Sequence, residues 1–210
     1  MTGMPGYQDA AAVIRRGLAV FPLPAGSKAA APGWHRRCTT SLEVLARTWP
    51  DGANIGVSCR ASGVAGVDLD RHGGPDGVAT FAEVCARHGQ PWPRTLTVAT
   101  PSGGLHLYFT VPAGLVVPSV ARIWPGVDTR GPGLRLGGYL AGPGSVVGGR
   151  RYEIARDDPI AELPGWLAAL ITRPASARLR RVTRPLTLSR RRCTAPPCGG
   201  CQTWRVHVSC

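Results

Sequence analysis

The chain has 210 residues, 43% of them hydrophobic, enough for one sizeable domain with a buried core. No apolar run nears the roughly 18 residues that span a bilayer, and no basic stretch leads into an apolar one at the start, so no membrane partner and a cytoplasmic location are expected. The formal net charge of +13 is uneven, because residues 173–210 hold nine Arg and no acid and leave only +4 on the rest; such a segment attracts polyanions, nucleic acid first among them.

In chain order, residues 8–17 read as a short helix stopped by Gly17, followed by a strand over 18–22 and a turn at 24–28 that carries Lys28, the single lysine. Thr40 and Ser41 cap a helix through Leu42, Leu45 and Trp49, with Glu43 in its first turn. The stretches 54–58 and 63–70 read as a strand pair. Gly73-Gly-Pro-Asp76 then precedes a helix over 77–88 with Val78, Phe81, Val84 and Cys85 at helical spacing. A strand over 95–100, a Pro101-Ser-Gly-Gly104 turn and a strand over 105–110 follow. Strands at 139–141 and 151–154 and a helix over 164–171 close the domain. These elements predict an α+β domain over 7–172, with strands in the middle and helices flanking them, and a tail at 173–210 without stable structure.

The seven cysteines follow the same division. Cys38, Cys59 and Cys85 are scattered and expected to be reduced, whereas Cys193, Cys198, Cys201 and Cys210 crowd the tail with His207 among them. Cys-x2-Cys is a zinc-ligand spacing, but the second ligand pair and the folded loop between pairs are missing, so Zn²⁺ is not expected there.

Three short stretches carry the chemistry. In Gly63-Val-Ala-Gly-Val-Asp-Leu-Asp70 the period of two puts Asp68 and Asp70 on one face of a strand, with Val67 and Leu69 on the other. Two converging carboxylates call for a counter-charge, and Mg²⁺ or Mn²⁺ supplies one while leaving positions for phosphates and water. Ser102-Gly-Gly-Leu-His106 places a histidine after a glycine turn whose N–H groups can approach phosphate oxygens. Gly126-Val-Asp-Thr-Arg-Gly131 sets Arg130 two residues after Asp128, where a guanidinium can meet phosphate bidentately. Each has an ordinary structural counterpart: a surface acid pair, a core histidine, a local ion pair.

Taken in order, these stretches resemble the N-terminal domain of bifunctional DNA primase/polymerases, the prim-pol branch of the archaeo-eukaryotic primase superfamily. The likeness starts at Gly17-Leu-Ala-Val-Phe-Pro-Leu-Pro-Ala-Gly-Ser-Lys28 and Trp49-Pro-Asp-Gly-Ala-Asn-Ile-Gly-Val57. It continues through the three stretches above to Gly138-Tyr-Leu-Ala-Gly-Pro-Gly-Ser145 and Leu163-Pro-Gly-Trp-Leu167, about four fifths of the chain. The resemblance implies a catalytic core around a mixed or antiparallel sheet like that of an RNA-recognition module. It implies Asp68, Asp70 and Asp128 as metal ligands and His106 as a catalytic residue on the nucleotide's phosphates. Ser102, Gly103, Arg130 and Lys28 are the further nucleotide-binding candidates.

The activity so implied is metal-dependent, template-directed nucleotidyl transfer from nucleoside triphosphates, with Mg²⁺ or Mn²⁺ as cofactor and a DNA template and primer as partners. Many family members carry a helicase downstream; no Gly-x4-Gly-Lys-Ser/Thr loop occurs here, so a helicase would be a separate partner. The segment 129–138 is longer and richer in glycine than the family's usual connection. Two other functions use the same residues: a metal-dependent phosphodiester hydrolase, and a nucleic-acid-binding module without catalysis.

Overall fold

The computed structural model describes residues 6–172. In chain order the elements are α1 (Tyr7–Arg15), β1 (Val20–Leu23), a 3-10 turn (Trp34–Arg37), α2 (Leu42–Thr48), β2 (Asn54–Ser58), α3 (Cys59–Ser62), β3 (Val64–Leu69) and α4 (Gly77–Arg87). Then come β4 (Thr97–Ala99), β5 (Leu105–Thr110), β6 (Val120–Trp124), β7 (Val127–Arg130), β8 (Tyr139–Ala141), β9 (Val146–Val147), β10 (Arg150–Arg151), β11 (Glu153–Arg156), β12 (Ala161–Glu162) and α5 (Gly165–Ile171). The expected α+β class is present, and the main sheet, for which the resemblance implies a mixed or antiparallel arrangement, is antiparallel except where β12 runs parallel to β5.

That main sheet has the order β11-β4-β5-β3-β7-β6, and a smaller antiparallel sheet has the order β1-β2-β8. Alternation along the central strands separates two cores. Ala65, Val67 and Leu69 of β3 and Leu107 and Phe109 of β5 face α4 and α5, where they meet Phe81, Cys85, Leu167 and Ile171. Val64 and Tyr108 face the other way, into a core built from α1, the small sheet, and residues such as Phe21, Ile55 and Leu140. Gly66 on this second face allows the two sheets to meet, since a Cβ there would lie 2.2 Å from Leu140 Cδ1. The inner face of β3 therefore points between the sheets, and Asp68 lies two residues beyond Gly66 on it.

The expected pairing of 54–58 with 63–70 is not formed. β2 pairs with β1 and β8, whereas β3 pairs with β5 and β7. The five residues between the strands make a helical turn, not a hairpin: the Ser58 hydroxyl accepts from Ala61 N and Gly63 closes the turn at φ +65°. The chain thereby crosses from one sheet to the other. The β6–β7 hairpin was likewise not among the expected strands, and the tail, with its cysteines, lies outside the described residues.

Candidate functional site

The two sheets enclose a cleft of about 560 Å³, lined from the main sheet by Asp68, Asp70, Thr100, Ser102, His106, Ser119 and Arg130. The facing wall brings Lys28, Trp34, Tyr139 and Leu140, with Tyr152 also in the lining. Six of the residues expected from sequence thus share one space. Gly103 and Asp128 do not line it.

Strand register assembles the acidic wall. Asp68 stands opposite His106 on β5 and opposite Asp128 on β7, so the three side chains form a row across three neighbouring strands. His106 Nε2 lies 3.3 Å from Asp68 Oδ1, in a pair whose side chains are only 6% and 15% exposed. His106 Nδ1 is buried and has no hydrogen-bond partner among the described residues. Burial pushes the Asp68 carboxyl up, but His106, through its charge and hydrogen bond, with Arg130 and Lys28 behind it, holds it below the usual carboxylate range. Asp70 moves the other way: burial and then the neighbouring Asp68 charge raise it, with Asp128 adding to the effect and His72 opposing it.

Backbone contacts fix Asp70. Its N–H donates to Gly126 O at 2.8 Å and its carbonyl accepts from Gly77 N at 2.7 Å. A Cβ on Gly77 would lie 2.0 Å from Gly126 O, so glycine is what permits the start of α4 to press against the β6–β7 turn. Asp76 caps α4, accepting from Val78 N and Ala79 N.

Asp128 is occupied by protein donors. Its Oδ2 accepts from Arg130 Nη2 at 2.8 Å and its Oδ1 from Arg122 N at 2.6 Å. Arg122 reaches it through a register irregularity in β6 and a left-handed backbone at φ +54°, a strained conformation for arginine that this charge-assisted hydrogen bond holds. The sequence reading did not name Arg122, and no motif marks it.

The 100–104 turn is closed by side chains. The Thr100 and Ser102 hydroxyls lie 3.0 Å apart, and Gly104 N donates to Thr100 Oγ1 at 3.0 Å. Gly103 sits at its apex at φ +85°.

Aromatic residues build the facing wall, and none was foreseen as a site residue. The Trp34 ring is 4.5 Å from Phe21 and 5.1 Å from Tyr139. The Tyr139 hydroxyl donates to Lys28 O at 3.1 Å and accepts from Ala30 N at 3.0 Å, which pins the loop bearing Lys28 against β8. Tyr152 packs 5.6 Å from the His106 ring, and burial together with Asp68 and Asp70 pushes its hydroxyl up to about 12, so it remains a proton donor across the physiological range.

A hard divalent cation fits Asp68 and Asp70, two carboxylates on one face, of which Asp70 has its proton affinity raised by burial and then by the charge of Asp68. Among the described residues no group of three or more His, Cys, Asp or Glu side chains forms a ready-made metal site. The arrangement suits a cation that takes its remaining ligands from phosphate and water. Cys59, buried under the sheet, has its thiol pushed up to about 12 and adds no thiolate. No helix among the described residues is long and apolar enough to cross a membrane.

Comparison with individual curated proteins gives no significant match. The model of one family, "Bifunctional DNA primase/polymerase, N-terminal", matches residues 10–166, a span that contains both walls of the cleft, and the chain belongs to that Prim-Pol family.

Proposed function

We propose that this domain catalyses metal-dependent, template-directed transfer of nucleotides from nucleoside triphosphates to a DNA primer. The observation that carries the reading is that Asp68, Asp70, His106, Arg130 and Lys28 face one cleft between the two sheets. Acids on one side and cations around them suit a metal-bound triphosphate better than either charge alone.

Asp68 and Asp70 would hold Mg²⁺ or Mn²⁺, which when bound activates the attacking hydroxyl and offsets charge on the leaving pyrophosphate. His106, held against Asp68, binds and orients the phosphates. Arg130 and Lys28 contribute fixed positive charge to the polyphosphate, and the Ser102 hydroxyl contacts it from the glycine turn. Asp128 accepts one hydrogen bond on each oxygen, which aims Arg130 into the cleft and leaves lone pairs with which it would serve as the third metal ligand. Trp34 and Tyr139 present ring surface to the nucleobase.

Template-dependent primer extension with Mn²⁺ and nucleotides tests this reading. The double variant Asp68→Ala/Asp70→Ala is expected to lose incorporation while its circular dichroism stays that of the parent; undiminished synthesis would overturn the assignment. Labelled DNA incubated without nucleotides distinguishes a hydrolase, which would shorten it. Calorimetric titration with Mn²⁺ and a nucleotide distinguishes a non-catalytic DNA-binding module, which would give no metal-dependent heat.

A further inference from the structure

The most exposed large apolar side chains of the described residues lie beside the cleft. Leu134 is 78% exposed, Leu136 48% and Val116 43%, and they line a groove of about 660 Å³ with Ser119, Arg135 and glycines of the 131–137 segment. Frayed chain does not account for this display. Gly138 N donates to Gly131 O at 2.8 Å, Gly133 N donates to Val117 O at 3.0 Å, and Arg60 Nη1 donates to Gly133 O at 3.1 Å, so the segment is a closed loop held at both ends. A folded loop that turns two leucines to solvent marks a contact surface.

Its charge narrows the occupant. No carboxylate lines the groove. Between residues 114 and 138 the single acid is Asp128, already held by Arg130 and Arg122 N, while Arg135 stands exposed between the two leucines. Apolar side chains beside an unopposed guanidinium match a polyanion that also has flat apolar faces, namely unpaired nucleic acid; a duplex hides those faces in its stack. Ser119, Leu136 and Gly137 line both this groove and the cleft, so a strand lying in the groove continues into the site.

We infer that the 131–137 loop and Val116 form the seat of the unpaired template strand, with base faces on Leu134 and Val116 and a phosphate on Arg135. This rests on the nucleotidyl-transfer reading and extends it to the second substrate.

Fluorescence anisotropy of a labelled single-stranded oligonucleotide with the full chain, over a salt series, tests it. Val116→Ser/Leu134→Ser should weaken binding roughly five- to tenfold at every salt concentration, because an apolar contact is not screened. Arg135→Ala should weaken it and reduce the salt slope by about one. Neither variant touches the cleft, so Mn²⁺-nucleotide heats without DNA should match the parent. Parental DNA affinity in both variants overturns the inference. So does a patch that governs self-association in sedimentation instead of DNA affinity, which would make a second copy the occupant. A parent chain without Mn²⁺-nucleotide heat refutes the nucleotidyl-transfer reading, and the oligonucleotide affinities of the variants still decide the seat.

Discussion

The two walls of the cleft are made by different means. On the main sheet, strand register sets Asp68 between His106 and Asp128, and backbone hydrogen bonds from Gly77 and to Gly126 hold Asp70. On the small sheet, Lys28 comes from a loop held by side chains, the Tyr139 hydroxyl and the Asn54 amide, which donates to Ser27 O. The metal-holding acids thus sit on regular structure, with His106 and Arg130 beside them, whereas Lys28 sits on a segment with fewer constraints. Damage to the acids should appear in turnover, damage to the Lys28 loop in apparent affinity.

The strongest way to break that contrast is Asp68→Asn, which keeps the shape of the side chain and removes its charge. It is expected to lower kcat roughly a thousandfold with little change in KM for the nucleotide, measured by steady-state primer extension. A comparable rise in KM instead would mean that the acids serve mainly to bind. Next in size is Gly77→Ala, whose methyl group would have to displace the carbonyl of Gly126. A loss of about 2–3 kcal/mol in urea unfolding is expected, with turnover falling further than refolded fraction because Asp70 shifts with the clamp. Retention of parental stability would show that the clamp is soft.

Tyr139→Phe sharpens the other half of the comparison. It retains the ring and removes the hydroxyl's two hydrogen bonds to the Lys28 loop while leaving the Asn54 bond to Ser27 O, so KM is expected to rise about fivefold at nearly constant kcat, with ~1 kcal/mol lost in unfolding. An unchanged KM would detach Lys28 from substrate binding. The smallest effect is expected at the exposed cap of α4. The hydrogen bond from Ala79 N foremost, then the charge and hydrogen bond of Arg71 and the hydrogen bond from Val78 N, hold the Asp76 carboxyl below its ordinary 3.8 against the opposing effect of desolvation. Its contribution is therefore present above that value and is lost as pH falls through the lowered one. Asp76→Asn preserves the cap and should flatten that acid limb, read as melting temperature against pH; an unaltered limb would place the acid sensitivity elsewhere.

The acids were legible because a strand repeats every two residues, and Asp68 and Asp70 carry their face with them wherever the strand packs. The Tyr139 contact was not, because it joins positions 109 and 111 residues apart, and no local pattern encodes such a meeting. Asp128 was visible as an acid, but its engagement by Arg122 depends on an irregularity in β6 that breaks the alternation by which strands are read. That break, with Ala121 and Arg122 exposed in succession, also concealed the β6–β7 hairpin itself. The false pairing of β2 with β3 arose for a related reason: a five-residue connection suits a hairpin, and only the Ser58 cap and the Gly63 backbone turn it into a crossing.

That crossing makes residues 59–62 an unforgiving place for a change in length. One wall ends at Ser58 and the other begins at Val64, so an inserted or deleted residue cannot be dissipated in slack chain. It must be absorbed as distortion of the turn or as a one-step slip of β3, and the slip would turn Asp68 and Asp70 from the cleft towards Phe81 and Leu167. Substitution is constrained here as well, since Cys59 is buried, Arg60 holds Gly133 O and the Ser62 hydroxyl accepts from Ala19 N, but a change in length should cost more than any of these.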